Sequence, residues 1–348
     1  MAYTTIKKPS DYFNTKLYTG NGVGGTNITG VGFQPDLVWI KRRSGTENHV
    51  WNDAVRGVPN NIYSSSTNAQ DSGNLMSAIL SDGFTVQTDA SVNSNNDTYA
   101  SWNWKANGAG SSNTDGTITS TVSASATSGF SIAKYTGTGA NASFGHGLGT
   151  TPAVYIIKKL TGASTWLMYH QSLGIGYHLG LNNTTAQNAN DATFANNTAP
   201  DTSKIYLGSW GDLNANGSDF ICYSFADVQG YSKFGKYTGN GNANGTFVYT
   251  GFKPSFIMVK RTDSSTGGSW IVYDTKRNPY NVSDIVLATN DASSEAGWGY
   301  VYDLDILSNG FKWRNDGGSG YVNVSGASYI YMAFAEEPLV GDNPATAR

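Results

Sequence analysis

The stretch Gly32-Phe-Gln-Pro-Asp-Leu-Val-Trp-Ile-Lys41 has the pattern of a β-strand that starts just after a proline. A proline is tolerated at the entrance of a strand, where its missing N–H removes no bond from the ladder. The apolar run after it lacks polar alternation, which indicates a strand covered on both faces for most of its length. The same pattern, ending in the same cation, returns in Val154-Tyr-Ile-Ile-Lys158 and Phe256-Ile-Met-Val-Lys260.

A fixed spacing connects these three strands to three upstream copies of Tyr-Thr-Gly. In each copy a proline follows the tyrosine by 17 residues, and a lysine follows the proline by six. The tyrosines are Tyr18, Tyr135 and Tyr237, and the prolines are Pro35, Pro152 and Pro254. Repeats at a period of roughly 100 residues can each close a core, so they indicate tandem domains rather than the short units of a solenoid.

Composition adds that the chain is rich in turns. Glycine accounts for 42 of the 348 residues, and Asn, Ser and Thr fill the spaces between short apolar runs. Turn residues at this density imply many short strands. Aromatic residues reach 13%, which supplies the buried surface that a disordered polar chain lacks. Each repeat also closes with alternating large side chains, as in Trp102-Asn-Trp104 and Met332-Ala-Phe334, which places them on one face of a sheet.

We therefore predict an all-β protein of three tandem antiparallel β-sandwich modules with a jelly-roll-like architecture. No segment shows the sustained apolar spacing of a long helix. The predicted boundaries are 1–107 for the first module, 108–232 for a linker strand and the second module, 233–338 for the third, and 339–348 for an extended tail.

Charge and hydropathy argue against two classes of partner. The net charge is −3 and only 14% of the residues are charged, whereas nucleic-acid binding needs a basic patch. No apolar stretch approaches the ~18 residues of a membrane span, and the N-terminal residues lack the apolar region of a secretory signal. We expect synthesis in a reducing cytosol, with no nucleic acid and no membrane as partner. The single cysteine, Cys222, lies in an apolar run, which predicts a buried and inert thiol.

Residues that could carry catalysis or bind metals are sparse. His170 and His178 lack an obvious third ligand for zinc. Asp303 and Asp305 are the best carboxylate pair for a glycosidase, but their alternation with Leu and Ile is typical of a half-exposed strand. We predict no enzymatic activity, no catalytic residues, no metal site and no cofactor. Oxygen-rich loops that could hold calcium, or simply form turns, lie at 93–97 and 212–216.

One charged pair recurs with a constant spacing. Asp53 and Arg56 in the first repeat correspond to Asp274 and Arg277 in the third. The second repeat has His170 and Leu173 at these positions. The pair predicts either a salt bridge between modules or subunits, or an ion pair that holds a turn or stays in solvent.

Several motifs resemble a family of virion proteins from tailed bacteriophages, notably phages of marine and aquatic bacteria. The motifs are Asp11-Tyr-Phe-Asn14, Leu17-Tyr-Thr-Gly-Asn-Gly22, Gly32-Phe-Gln-Pro-Asp-Leu-Val-Trp-Ile-Lys41 and Trp102-Asn-Trp-Lys105. The resemblance covers the first repeat closely, and the other two through Tyr-Thr-Gly and the strand from proline to lysine. It implies a tail-fibre-like or capsid-surface polypeptide of the virion, and it supplies no catalytic residues to carry over.

We expect a non-enzymatic bacteriophage virion structural protein, a tail fibre or capsid decoration, that acts in particle assembly or host-surface attachment. Its expected partners are other virion proteins and further copies of the chain as a homo-oligomer, with a trimer as the arrangement that suits a fibre. Repetition favours such a function, because weak contacts repeated three times per chain add up to firm attachment.

The alternative is a carbohydrate-binding adhesin whose exposed Trp and Tyr rings stack on a host surface glycan. The candidate stacking residues are Trp51, Trp166, Trp270 and Trp298. Most tryptophans are equally suited to the cores of the modules, because β-modules of this size need large side chains to fill them. A depolymerase is a third hypothesis, which would call for a clear acid pair.

Overall fold

The computed structural model describes residues 3–295, 302–318, 320–338 and 344. Within these residues all pairings between named strands are antiparallel and the helices are single turns, so the predicted all-β fold is confirmed. None of these helices is long and apolar enough to cross a membrane. The predicted tail, 339–348, lies outside the described residues except for Pro344.

The first repeat forms a large sheet and a small sheet that face each other, after a 3₁₀ turn at Pro9–Asp11. Its elements are β1 (Phe13–Thr19), β2 (Thr26–Thr29), β3 (Leu37–Arg42), β4 (Val50–Asp53), β5 (Ile62–Tyr63), β6 (Met76–Leu80), β7 (Gly83–Val86), α1 (Ala90–Asn93) and β8 (Thr98–Trp104). The large sheet has the order β1-β8-β3-β4-β5 and the small sheet β2-β7-β6. Side chains such as Val38, Ile40 and Phe84 fill the core between the two sheets.

The second repeat has the same plan with two extra strands at one edge. Its elements are β9 (Ser111–Asn113), β10 (Ser120–Ser125), β11 (Phe130–Thr136), β12 (Ala142–Gly145), β13 (Val154–Lys159), β14 (Leu167–His170), β15 (Tyr177–Gly180), β16 (Asn188–Ala189), α2 (Ala192–Ala195), β17 (Lys204–Leu207), α3 (Gly211–Asn214) and β18 (Asp219–Phe225). The large sheet has the order β16-β15-β14-β13-β18-β11-β10-β9, and β12 pairs with β17. The segment predicted as a linker strand thus contributes both β9 and β10 to this sheet.

The third repeat returns to the arrangement of the first. Its elements are β19 (Ser232–Thr238), β20 (Phe247–Tyr249), β21 (Phe252–Arg261), β22 (Ile271–Asp274), β23 (Leu287–Ala288), β24 (Leu304–Leu307), β25 (Gly310–Trp313) and β26 (Ser328–Pro338). The large sheet has the order β19-β26-β21-β22-β23 and the small sheet β20-β25-β24. We call β8, β18 and β26 the closing strands.

The repeated tyrosines occupy corresponding places in the three large sheets, and two of the three prolines precede their strands as predicted. Each tyrosine stacks on an aromatic ring of its closing strand: Tyr18 on Tyr99 at 5.0 Å between ring centroids, Tyr135 on Phe220 at 5.2 Å, and Tyr237 on Tyr329 at 4.7 Å. Pro35 and Pro152 are buried two residues before β3 and β13. Pro254 lies inside β21, at an irregularity in its pairing with β26.

The largest core lies between the repeats rather than inside one of them. The second faces of the three large sheets meet there, and each contributes large side chains such as Trp102, Phe225 and Phe334. This explains why the strand after each proline is apolar on both faces. In β3, Ile40 packs in the core inside the first repeat, whereas Trp39 packs in this shared core.

Three equivalent aromatic rings meet in the shared core. Trp104, Phe225 and Phe334 are the last large residues of the alternating pattern in the three closing strands. Their ring centroids lie 5.5 Å apart for Trp104 and Phe334, 5.8 Å for Phe225 and Phe334, and 6.2 Å for Trp104 and Phe225. Each ring therefore contacts the other two, and we call the set the central triangle. The three repeats surround an approximate threefold axis within one chain.

Candidate functional site

Three of the tryptophans predicted to stack on sugar are buried. Trp51, Trp166 and Trp270 expose only 2%, 0% and 1% of their surface. The indole N–H of Trp166 donates to the carbonyl of Tyr63 at 3.0 Å, and that of Trp270 donates to the carbonyl of Gly180 at 2.9 Å. The prediction is wrong for these three residues, because all three rings are buried in the shared core and two of them bond across repeats. Trp298 lies outside the described residues.

The residues considered for metal or acid chemistry have other partners. Cys222 is fully buried, and burial raises the pKa of its thiol to about 12, which fits the predicted inert thiol. Asp305 forms an ion pair with Arg314 at 2.5 Å. His178 lies beside the amide oxygen of Asn190 at 2.5 Å. Within the ranges 3–295, 302–318 and 320–338, no group of three His, Cys, Asp or Glu could hold a metal ion.

The oxygen-rich loops are held by one buried asparagine in each repeat. The side-chain oxygen of Asn93 accepts the N–H of Asn21 at 3.0 Å, and that of Asn214 accepts the N–H of Thr138 at 2.8 Å. Asn323 makes the same bond to the backbone of Asn240 at 3.1 Å. These oxygens therefore fix the glycine-rich loop that follows each Tyr-Thr-Gly. Asn323 is the third copy of this asparagine, and its recurrence in the sequence indicates that these loops form turns.

Each repeat contacts the next through the same groups, and the third contacts the first. We name the junctions 1/2, 2/3 and 3/1 after the repeats that meet. A buried lysine crosses each junction and donates to a backbone carbonyl: Lys158 to Thr67 at 3.0 Å, Lys260 to Thr184 at 3.2 Å, and Lys41 to Ala292 at 2.9 Å. Head-to-tail contacts that close in this way form a ring, which here is built from a single chain.

A backbone hydrogen bond repeats beside each lysine. The N–H of Gln70 donates to Leu160 at 3.1 Å, that of Gln187 to Thr262 at 2.8 Å, and that of Glu295 to Arg43 at 3.0 Å. These donors and acceptors lie at corresponding positions in the repeats. The backbone of the three junctions is therefore alike, and any difference in function between them must come from side chains.

The repeated Asp/Arg pair holds a turn inside its own repeat. Arg56 donates to the carboxylate of Asp53 at 2.5 Å, and Asp53 also accepts the backbone N–H of Val55 at 3.0 Å. Arg277 makes the same bond to Asp274. The interpretation as a turn-holding pair is confirmed, since both ion pairs are internal to a repeat and fully buried.

The same carboxylates also reach the next repeat around the ring. Asp53 accepts the hydroxyl of Tyr223 at 2.7 Å across junction 1/2. Asp274 accepts the indole N–H of Trp102 at 3.1 Å across junction 3/1. Each carboxylate thus links the turn that it holds to a closing strand of the neighbouring repeat.

In the second repeat His170 takes the place of the aspartate. Its Nδ1 accepts the N–H of Ser172 at 3.1 Å, as the aspartate oxygens do for their own turns. The proton must then be on Nε2, which donates to the carbonyl of Tyr331 at 3.2 Å across junction 2/3. Burial lowers the pKa of His170 to about 4, so the ring is neutral at neutral pH. A neutral ring needs no arginine, and Leu173 stands at that position.

Replacement of the arginine by Leu173 leaves a polar side chain without a partner. Arg56 donates to the side chain of Gln70 at 3.3 Å, and Arg277 donates to Glu295 at 3.1 Å. Gln187 is the corresponding residue at junction 2/3, where Leu173 has no donor to offer. Among the described residues, the side-chain amide of Gln187 has no hydrogen-bond partner.

A groove of about 500 Å³ opens at this junction. We call it the 2/3 groove. Its lining includes the side chains of Leu173, Tyr177, Gln187, Lys236, Thr238 and Asp263. Sequence reasoning missed these residues as a site, although the change from Asp/Arg to His170 and Leu173 was a visible signal.

The positive and negative charges that line the 2/3 groove do not balance. Lys236 is exposed and has no ion-pair partner within the part of the chain that the structure describes. Asp263 is already paired with Arg261 at 2.7 Å. Tyr177 exposes 39% of its surface, which makes it one of the exposed large aromatic residues of the described chain. The groove therefore combines one free cation, one free amide and one accessible aromatic ring.

Fold and junctions together define an all-β protein in which three repeats close into a ring within one chain. The chain belongs to a family described as Domain of unknown function (DUF7483), whose model matches residues 8–338. That match begins before β1 and ends with β26, so one family unit spans all three repeats. No curated protein matches the chain.

Proposed function

We propose that this chain is a non-enzymatic structural protein of a bacteriophage virion, a tail-fibre or capsid-surface component that contributes to particle assembly or host attachment. The observation that carries the proposal is the use of the repeated residues. The tyrosines, junction lysines and closing-strand aromatics that recur three times serve stacking, junction hydrogen bonds and the shared core. What the repetition preserves is therefore a shape, and a ring-shaped scaffold suits a structural role better than a single reaction centre.

Resemblance of the motifs to virion proteins supports the location on a phage particle, after synthesis in the host cytoplasm. The low charge and the many short turns agree with a polypeptide on the particle surface that is attached through packing contacts rather than through ion pairs. A ring of three corresponding repeats presents a similar surface three times. It therefore fits a partner with threefold symmetry, such as the end of a trimeric fibre.

A chain with few charged residues and many aromatic ones would favour oligomers in which copies cover each other's aromatic surfaces. The structure instead covers the aromatic faces of the large sheets with the other repeats of the same chain. Attachment to other virion proteins remains in the proposal, and sedimentation of the purified chain decides whether copies also associate with one another.

Particles from cells lysed by the phage that encodes this chain provide the direct test. We expect the chain among the proteins of purified virions by mass spectrometry, and we expect gold-labelled antibody at the tail or on the capsid. The soluble fraction of the same lysate is the control. A chain that stays in the soluble fraction and labels no particle would contradict the proposal.

Carbohydrate binding is the second candidate function, and a specific observation favours it. The 2/3 groove is concave, lies between two repeats and exposes the ring of Tyr177 beside polar groups. Binding of a host glycan would serve attachment directly. Trp51, Trp166 and Trp270, which were first considered for stacking, are buried, so among the described residues this candidate now depends on the groove.

A further inference from the structure

We propose that the 2/3 groove binds a saccharide that carries a carboxylate group. The inference deepens the host-attachment role proposed above and takes its biological setting from it. The binding chemistry, however, depends only on the residues of the groove. It therefore stands or falls on measurements with the purified chain.

Size and position of the groove suit a small polar ligand. Its volume of about 500 Å³ lies within the range of roughly 300–1,000 Å³ that is typical of small-molecule sites. Two repeats form its walls, with Leu173 from one side and Tyr237 from the other. A ligand placed there would contact both repeats at once.

Tyr177 supplies a surface for the apolar face of a sugar ring. The residue begins β15 and exposes 39% of its surface, whereas Tyr237 and Tyr329 of the same groove are buried. Tyrosine combines a flat apolar ring with a polar tip, and it loses little conformational freedom when it is held by a ligand. Stacking on this ring would orient a sugar along the groove.

Gln187 and nearby hydroxyls match the hydroxyl groups of a saccharide. An amide both donates and accepts hydrogen bonds, as each sugar hydroxyl also does. The Gln187 side-chain amide has no protein partner among the described residues, while the backbone N–H of Gln187 is held by its bond to Thr262. Thr238 and Ser328 add hydroxyl groups to the lining.

Lys236 is the residue that would make the groove prefer a ligand with a carboxylate group. Arg261 and Asp263 compensate each other at 2.7 Å, so among the described residues Lys236 is left as one uncompensated positive charge of the groove. A hydrogen bond between an ammonium and a carboxylate is roughly twice as strong as one between neutral groups. A uronic or sialic acid unit provides such a carboxylate on a sugar ring.

Within the described residues, the other two junctions lack the free polar side chain that junction 2/3 has. At junction 1/2 the guanidinium of Arg56 lies against the side chain of Gln70. At junction 3/1 both Arg43 and Arg277 bind Glu295. The polar group that would contact a ligand is already bonded at both places.

Titration of the intact purified chain tests the proposal. The probes are sialyllactose and a galacturonic-acid trisaccharide, and the neutral controls are lactose and maltotriose. Saturation-transfer NMR and calorimetry measure the binding of each. We expect binding of at least one acidic probe, at least fivefold tighter than that of its neutral control. Lys236→Gln should weaken this binding at least fivefold, whereas Lys236→Arg should retain it.

Variants of the groove locate the binding. Tyr177→Ala and Gln187→Ala should each weaken binding at least fivefold, while Tyr280→Ala should not, because Tyr280 is a strongly exposed tyrosine outside the groove. The double variant His170→Asp/Leu173→Arg copies the pair of the other repeats. It should abolish binding, because the new guanidinium would occupy Gln187.

Three outcomes overturn the proposal: no binding of either acidic probe, equal binding of acidic and neutral probes, or full binding by Tyr177→Ala and Lys236→Gln. Circular dichroism of each variant confirms that its fold is intact. Failure here leaves the virion location untouched, since particle labelling measures that separately. Conversely, binding by a chain absent from particles would support the groove and contradict the virion proposal.

Discussion

Junctions 3/1 and 2/3 have the same backbone contacts but different side chains around them. At junction 3/1, Glu295 accepts hydrogen bonds from Arg43 and Arg277. Burial lowers the pKa of Lys41 there, and nearby carboxylates, among them Glu295, offset part of that decrease. At junction 2/3, the side chain of Gln187 has no hydrogen-bond partner among the described residues, and the lowered pKa of Lys260 has burial and the charge of Arg261 as its causes. Backbone contacts and buried lysines therefore suffice to close the ring. We call a junction filled where an arginine binds its polar side chain, as at Gln70 and Glu295, and open where no arginine does so, as at Gln187.

The largest effect is expected where all three repeats meet. Trp104→Ala removes one member of the central triangle and should lower the free energy of unfolding by about 4 kcal/mol, within the range for large aromatics in packed interiors. Denaturant unfolding followed by tryptophan fluorescence measures this change. Tyr280→Ala is the matched control and should stay within ~0.5 kcal/mol of the unchanged chain. An equally small loss for Trp104→Ala would mean that the triangle is not packed.

Removal of an arginine from a filled junction should have the next largest effect. Arg56→Leu leaves the buried carboxylate of Asp53 without its cation, which should cost about 3 kcal/mol. The double variant Asp53→His/Arg56→Leu copies the second repeat and should recover part of that loss, because a neutral histidine can accept the same turn N–H. Chemical denaturation of both variants checks this. A double variant less stable than Arg56→Leu would contradict the comparison.

Sequence predicted the sheet architecture well because its signals are local. Proline before an apolar run and alternation in the closing strands fix strand positions without knowledge of distant contacts. The role of Trp166 could not be predicted in this way, because its ring bonds to Tyr63 about a hundred residues away in another repeat. The groove was also out of reach. Leu173 was visible as a substitution, but Gln187 lies in the divergent middle of its repeat, where no motif aligns it with Glu295.

The smallest expected effect is a pH dependence of stability, which should distinguish junction 2/3 from the other two junctions. Burial lowers the pKa of Lys260 to about 7, and those of Lys41 and Lys158 to about 8. The ordinary value is 10.5, so the unfolded chain holds more protons above pH 7 and stability rises with pH from there. Between pH 7 and pH 8 this gain, of about 1 kcal/mol, should come mainly from Lys260.

Lys260→Met tests that assignment, because methionine fills similar space and does not titrate. Thermal unfolding between pH 7 and pH 8 should show a rise in stability for the unchanged chain and a flatter profile for the variant. Lys158→Met is the control and should retain the rise in this interval. The comparison of junctions is wrong if Lys158→Met flattens the profile and Lys260→Met does not.

The central claim is that three repeats form one cooperative ring around a shared core. Hydrogen exchange of the intact chain and of Trp104→Ala, compared for the amides of β8, β18 and β26, tests it most directly. We predict that the slowest amides of the three closing strands share one free energy of exchange. We also predict that Trp104→Ala lowers this free energy by the same amount in all three strands. A decrease confined to β8, with β18 and β26 unchanged, would show that the repeats unfold independently and would contradict the account.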